Sequence, residues 1–503
     1  MKRLLSFAIV AVVVIISFGA CAVAQPTSLT ILHTNDMHAS FVPREATWIR
    51  TTPRPHVGGM VELAAVVDSI RQLRPALLMD AGDVMTGNPA AEIDYAGATG
   101  GALFEMMNRI GYEIWTPGNH DFDISRANFL RLSAVARFPI VCANLFDEEG
   151  RLLGRNLPSH IIEKNGIRIG VIGWMSSAFY NLVSRSSTAG ITLETDFAVL
   201  QKLVDELDPK TDLIIALTHQ GVEDDSVLAA KVRGLDVIIG GHSHTRLRKP
   251  VAVNGVVIAQ AGSNCENLGI VNLTVENDRV TAFDGELKQL WIHTKRPASP
   301  LSQLVDSIQT QIDAEYAAVI GTLATDWKRE NGESGVGNFI TDAQREAVRA
   351  DVAFMNNHGI RADAVAGEIT KRKLFEILPF RNTLVTFTLT GAQVRTIIEH
   401  FIQLQSRDRE SVQTSGIRCR WRKGADKKPQ IVELTVNGEP LDEQRLYVGA
   451  ASDYLMGESQ RYLGIPAPTL DYTNQTVFGV VEQKIRQMQS IDSTIEGRIK
   501  ELP

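Results

Sequence analysis

The sequence predicts an α/β protein of two domains joined by a helix, and three observations predict it. From Leu29 to about Trp291, short β-rich runs alternate with amphipathic stretches, the pattern of strands connected through helices. Around Thr294–Pro300 the text becomes Lys-Arg-Pro-Ala-Ser-Pro, a composition break, and after Gly321 strands and helices resume. The length of 503 residues corresponds to two or three domains at roughly 100–200 residues each.

Taken in order, the chain opens with Lys2 and Arg3, an apolar run from Leu4 to about Ala20, and the small-x-small site Ala22-Val23-Ala24. This is the pattern of a cleaved signal peptide over residues 1–24, implying export to a periplasm or the medium. The alternatives are a membrane anchor or a lipid attached at Cys21. Strands are expected at Leu29–Thr34, Ala76–Asp80, Glu113–Trp115, Ile167–Ile172, Leu213–Leu217 and Val237–Ile239, with helices at Met60–Leu73 and Leu103–Arg109. Together these make a first domain over 28–295. A polar helix near Leu301–Val319 reads as the connector, within 296–320. The second domain, 321–503, is expected to hold a helix near Asn338–Arg349, strands near Val352–Met355 and Leu384–Leu389, and a hairpin at Val436-Asn437-Gly438-Glu439.

Composition narrows the function. The chain is 44% hydrophobic and 22% charged, which excludes a disordered protein. Lys plus Arg total 51 against 58 Asp plus Glu, a net charge of −7, which argues against a nucleic-acid polymer as partner. Removing the leader leaves Cys142, Cys265 and Cys419, enough for at most one disulfide. No segment beyond the leader has 18 consecutive apolar residues, so none spans a membrane as a helix.

The informative residues fall in five polar clusters, each after a strand, where α/β sheets bind ligands. They are Thr34-Asn35-Asp36-Met37-His38, then Asp80-Ala81-Gly82-Asp83, then Gly118-Asn119-His120-Asp121-Phe122-Asp123, then Thr218-His219-Gln220-Gly221, and last Gly240-Gly241-His242-Ser243-His244. In extended chain Asp36 and His38 point the same way. Gly82 permits a turn presenting Asp83, whose two oxygens can bridge two cations. Asn119 offers a neutral oxygen. His120 and Asp123 can form an oriented imidazole–carboxylate pair, and His242 and His244 can reach two neighbouring sites. Each cluster alone is weak; their order is not.

The ligand count assigns Asp36, His38, Asp83 and His244 to one divalent metal, and Asp83, Asn119, His219 and His242 to a second. Carboxylate mixed with imidazole suits Mn, Fe, Co or Zn rather than Ca or Mg. Two such cations can clamp both oxygens of an in-line displacement at phosphorus and supply hydroxide near neutral pH. His120, oriented by Asp123, is placed to assist the leaving oxygen. No Gly-x-Ser-x-Gly elbow offers a serine alternative. The residues therefore suggest hydrolysis of a phosphoester or pyrophosphate.

In this order and spacing the clusters resemble the calcineurin-like metallophosphoesterases. The second half resembles the C-terminal domain of the 5′-nucleotidase family, through Glu333-Ser334 with Gly337-Asn338, Asn356-Asn357-His358-Gly359-Ile360-Arg361, Leu378-Pro379-Phe380-Arg381-Asn382-Thr383 and Glu496-Gly497-Arg498-Ile499. The resemblance implies a four-layer α/β/β/α domain, a second mixed α/β domain that selects substrate, and a linking helix that lets it swing. It also implies that Asn356, Arg361 and an upstream arginine hold phosphate while two aromatic rings sandwich a base.

The departures concern substrate choice. The family's arginine slot holds Glu330, with Arg329 one residue away. Ser411 stands where the family has a stacking Phe, and Glu458-Ser459-Gln460-Arg461-Tyr462 replaces a glycine-rich loop, leaving Tyr462 for half of the clamp and Trp421 as a distant substitute. His358 replaces a glycine and faces either phosphate or water. The expected activity is hydrolysis of nucleoside 5′-monophosphates. UDP-sugar or 2′,3′-cyclic nucleotide hydrolysis, thiosulfohydrolysis and a non-catalytic ligand-binding role are the alternatives.

Overall fold

The computed structural model describes residues 26–502, apart from 47, 184, 293–297, 331, 381, 405–410 and 425–428. The expected signal peptide, Cys21 and Arg381 lie outside the described residues.

The first half contains, in chain order, β1 (Thr27–Thr34), α1 (Met60–Arg71), β2 (Ala76–Asp80), α2 (Gly101–Ile110), β3 (Ile114–Trp115), α3 (Arg126–Val135), β4 (Ile140–Val141), β5 (Asn156–Leu157), β6 (His160–Lys164) and β7 (Ile167–Met175). It continues with α4 (Phe179–Leu182), α5 (Phe197–Leu207), β8 (Leu213–His219), α6 (Val222–Lys231), β9 (Val237–Gly240), β10 (Val251–Val253), β11 (Val256–Ala259), β12 (Asn267–Val275) and β13 (Val280–Gln289). One sheet runs β5-β4-β3-β2-β1-β12-β13 and the other β6-β7-β8-β9-β11-β10.

Period-two alternation builds the layers. Leu29 and Ile31 of β1 and Leu77 and Met79 of β2 meet Leu213, Ile215 and Leu217 of β8 and Val237 and Ile239 of β9 in a core between the sheets. Their neighbours face outward. Leu32 and Leu78 pack under α1 and α2, while Ile214, Ala216 and Ile238 pack under α5 and α6. Strands covered on both faces must read as unbroken apolar runs, as these do. The result is a four-layer α/β/β/α sandwich. Strands β1 to β5 are mutually parallel, as are β7, β8, β9 and β11, so the loops after β1, β2, β3, β8 and β9 gather at one end.

Helix α7 (Pro300–Tyr316) begins with Ser299 accepting from the Ser302 N–H and Pro300 in the first turn, a strong start signal. The helix joins the two halves, but it is not polar on every side, contrary to what its composition suggests. Leu301, Leu304, Val305, Ile308, Ile312 and Tyr316 form an apolar stripe buried in the core under α1 and α2.

The second half has α8 (Gly335–Ala347), β14 (Val352–Asn356), β15 (Thr383–Thr390), α9 (Gly391–Leu404), β16 (Val412–Ser415), β17 (Leu446–Ser452), α10 (Asp453–Gly457), β18 (Leu470–Thr476) and α11 (Val477–Met488). Its central sheet runs β16-β14-β17-β15-β18, with β14 and β17 parallel. A four-stranded sheet of Glu439–Pro440, Pro429–Val436, Ile417–Lys423 and Ile499–Glu501 covers one side. Its tight hairpin places Asn437 at φ 51 and Gly438 at φ 87, the left-handed pair that a two-residue turn requires. Among the described residues no helix is long and apolar enough to cross a membrane.

Candidate active site

All five clusters converge at the carboxyl ends of the parallel strands. Asp36, His38 and His244 form one group whose ligand atoms lie within 4.8 Å of one another, and Asp83, His219 and His242 form a second. In the first, His38 Nε2 is 3.0 Å from His244 Nε2, which is 3.4 Å from Asp36 Oδ1. In the second, His219 Nε2 is 3.1 Å from Asp83 Oδ2. His219 Nε2 is also 4.0 Å from Asp36 Oδ1, so the groups adjoin.

The backbone corrects the extended-chain argument for Asp36 and His38. Asp36 (φ 50), His38 (φ 48), Asp83 (φ 58), His242 (φ 80) and His244 (φ 55) all adopt left-handed conformations. Asp36 and His38 share a group because the turn after β1 curls, not because they alternate along a strand. Such conformations cost of order 1–3 kcal/mol each and persist only where surroundings enforce them.

Outer partners do the enforcing. The Ala81 carbonyl lies 2.6 Å from His219 Nδ1, which turns Nε2 towards the group. Asn35 donates to Asp36 Oδ2 at 2.6 Å and to the Gly262 carbonyl at 2.7 Å, and accepts from Ala261 N–H at 2.7 Å. Sequence reading gave no role to Asp121, yet its carboxylate accepts N–H bonds from Gly118 (2.8 Å), Asp83 (3.0 Å), Val84 (3.0 Å) and Met85 (3.1 Å). It ties the second cluster to the third.

The donor set fits divalent cations. Asp36 and Asp83 are fully or almost fully buried, and among the described residues no Lys or Arg pairs with either. Asn119 Oδ1 is buried with no hydrogen-bond partner among the described residues, an orphan acceptor that a cation would satisfy. Burial pushes His38 and His242 down to about 4, leaving neutral imidazoles with lone pairs to offer. Burial acts the same way on His219, but Asp83 outweighs it and lifts this imidazole to about 10.

His120 Nδ1 and Asp123 Oδ2 lie 2.7 Å apart, and Thr86 Oγ1 donates to the same oxygen at 2.7 Å. The His120 N–H donates to Asp83 Oδ1 at 2.7 Å, so one carboxylate joins the imidazole's backbone to the second group.

A cavity of about 270 Å³ opens from these groups between the two halves. Asn356, His358 and Arg361 line it from the second half, beside Asp83, Asn119, His120 and Asp123. His358 thus lines the cavity while remaining exposed to solvent. Phe380, to which no role was assigned, stacks between halves: its ring is 6.4 Å from His120 at 22° and 5.8 Å from the Arg361 guanidinium.

Three expected substrate contacts fall elsewhere. Arg329 turns to Asp363 at 3.1 Å, half-exposed and outside the cavity lining. Tyr462 and Trp421 are buried in the core of the second half, packed among its apolar side chains and outside the cavity lining. The Tyr462 hydroxyl is hydrogen-bonded to the side chain of Tyr454, which lines the cavity. Ser411 is buried and accepts from Asn357 Nδ2 at 2.5 Å, bracing the loop before Arg361.

A model of the calcineurin-like phosphoesterases matches residues 29–246, and one of the 5′-nucleotidase C-terminal domain matches residues 317–464. The chain belongs to the 5′-nucleotidase family. It is 27% identical to the 5′-nucleotidase of Diplobatis ommata over 95% of this chain and 90% of that protein. It is 28% identical to the trifunctional nucleotide phosphoesterase YfkN of Bacillus subtilis over 94% of this chain, but spans only 35% of that longer protein. The structure of a 5′-nucleotidase precursor from Thermus thermophilus superimposes with a TM-score of 0.74 at 27% identity, covering 94% and 99% of the two chains. This member of the 5′-nucleotidase family is thus a metal-dependent phosphoester hydrolase with a mixed α/β two-domain fold.

Proposed function

We propose that the chain is an exported phosphohydrolase that converts nucleoside 5′-monophosphates to nucleoside and phosphate, with a first domain over 28–295, a linker over 296–320 and a substrate-selecting domain over 321–503. The observation that carries this reading is the shared cavity, which sets Asn356 and Arg361 opposite the two carboxylate–imidazole groups. Asp36, His38, Asp83 and His244 would hold one divalent cation, and Asp83, Asn119, His219 and His242 the other, with Mn, Zn, Co or Fe suited to the donors. When bound, such a pair activates water and neutralises the phosphoryl oxygens.

The chain's own groups do the rest. Arg361 and Asn356 hold the phosphoryl group in line, a fork geometry suited to its oxygens. Asp123 fixes the His120 ring through Nδ1, leaving Nε2 to protonate or hydrogen-bond the departing ester oxygen. Asp123→Asn is expected to lower kcat by about 10–100-fold through loss of that orientation, read from steady-state kinetics with metal content unchanged. Arg361→Ala is expected to raise KM by about 10–100-fold, the scale of a charge-assisted contact, while two metals stay bound. Metal loss in Arg361→Ala equal to that in Asp83→Ala would contradict this division of labour.

The direct test is phosphate release by the mature protein loaded with Mn, Co or Zn, on AMP, UMP, ADP and phenyl phosphate, with UDP-glucose and 2′,3′-cyclic AMP products resolved separately. Preference for monophosphates is the expected result. Inactivity on the whole panel with two metals bound would overturn the reading.

A further inference from the structure

The loop between β11 and β12, residues 260–266, carries none of the proposed cation ligands, yet it grips both segments that carry the first group. The Ala261 N–H and the Gly262 carbonyl bracket the Asn35 side chain, and the Asn264 N–H donates to the Asp36 carbonyl at 2.8 Å. On the other flank the Gly262 N–H donates to the carbonyl of Thr245, next to His244, at 3.1 Å. Asn264 (φ 59) and Cys265 (φ 51) are held in left-handed conformations, which persist only where the surroundings enforce them.

Glu266 closes that loop. Its side chain is fully buried, and its two carboxylate oxygens accept from two different guanidinium groups, Oε1 from Arg44 and Oε2 from Arg246. Arg44 follows His38 on the chain leaving β1, and Arg246 follows His244 on the chain leaving β9. One carboxylate therefore latches the first cluster to the fifth, as Asp121 ties the second to the third. A Cβ at residue 262 would lie 2.8 Å from Arg246 Cγ, so Gly262 (φ 84) lets the arginine stem pass. The Arg246 guanidinium then rests 5.6 Å from the Trp48 ring. Both arginines are half-exposed while the carboxylate is not. Burying a carboxylate costs free energy that the attraction of its partners offsets only in part, and such pairs are best attested where they fix a register.

We propose that Glu266 is a positioning residue for the first cation: through Arg44 and Arg246 it sets the spacing of Asp36 and His38 against His244. The inference rests on the two-cation reading above and deepens it by giving the two groups separate supports. His38 Nε2 and His244 Nε2, 3.0 Å apart, come from the two latched segments, so their separation is what the latch controls. Asp83 and His219 of the second group take their support instead from Asp121 and the Ala81 carbonyl. Loss of such an outer support typically weakens metal affinity about 10–100-fold.

The test titrates the metal-free full chain with Mn(II) alone and follows the electron paramagnetic resonance of the unbound ion, for the wild type and for Glu266→Gln. Glutamine keeps the volume and one acceptor but points its NH₂ at one of the guanidinium groups. The wild type is expected to bind two ions. In the variant one of them should bind about 10–100-fold more weakly, and the other should change by less than about threefold. His244→Ala and His242→Ala assign the affected ion. Glu266→Gln should leave the remaining ion of His244→Ala unchanged but weaken that of His242→Ala, a contrast that a general loosening of the fold would not produce. Equal weakening of both ions, weakening of neither, or the reverse pattern in the two backgrounds overturns the inference and leaves the hydrolase reading intact. If Glu266→Gln does not fold, Arg246→Gln decides in its place, because that side chain is half-exposed and the same selective weakening is expected. A wild type that binds fewer than two ions overturns the two-cation reading together with this one.

Discussion

Asp83→Ala is expected to abolish turnover of every substrate and to reduce bound metal by at least one ion per chain. Asp83 is almost fully buried, its Oδ2 lies 3.1 Å from His219 Nε2, and its Oδ1 accepts the His120 N–H at 2.7 Å. Alanine removes the charge of the second group and the acceptor that anchors the His120 backbone at once. General acid–base assistance alone contributes ~10²–10⁴-fold, and losing cation activation adds to it, so a fall of more than about 10⁴-fold is expected. Elemental analysis and phosphate release measure the two effects. Asp83→Asn separates them, since the amide oxygen can still accept from His120 while the charge is gone. An alanine variant that keeps two ions and a tenth of the activity would refute the assignment.

Asp121→Ala is expected to be the most destabilising single change at the site. Its carboxylate, 2% exposed, accepts four backbone N–H bonds from two loops. Alanine would strand those donors, each worth about 1–3 kcal/mol when buried and unpaired. Partial relaxation brings the net loss to about 3–5 kcal/mol, read from the urea midpoint of the metal-free protein. Metal affinity should fall about 10–100-fold as well, because the loops bearing Asp83 and Asn119 lose their common tether. Asp121→Asn should fall between, because an amide oxygen can accept some of the four bonds but its NH₂ repels the rest. An unchanged midpoint in the alanine variant would sink the argument.

Much of this site was legible in the sequence because the strands that carry it are buried on both faces. Runs such as Leu213–Leu217 announce themselves without any periodic signal, and the polar clusters at their ends stand out against them. What was not legible depends on where the chain goes between those clusters. The alternation argument for Asp36 and His38 assumed extended backbone, but the chain turns left-handed as soon as β1 ends. Tyr462 and Trp421 were read as cavity aromatics because sequence cannot separate a ring that fills a core from one that lines a cleft. Phe380 was missed for the opposite reason: no local pattern marks it, and only the meeting of two domains gives it His120 and Arg361 as neighbours. Asp121 was in view inside the third cluster, yet a carboxylate that binds only backbone N–H groups leaves no trace in residue spacing.

The packing of α7 bears on how this protein can be divided. The calcineurin-like match ends at residue 246 and the C-terminal match begins at 317, which invites a cut anywhere between them. A fragment ending before Pro300 would strip Leu304, Val305, Ile308 and Ile312 from the surface of α1 and α2 and leave a greasy groove open to water. The smallest catalytic piece that stays monodisperse should therefore run through Tyr316, and a chimera that grafts a foreign substrate domain should take its crossover point at Ala317 or later.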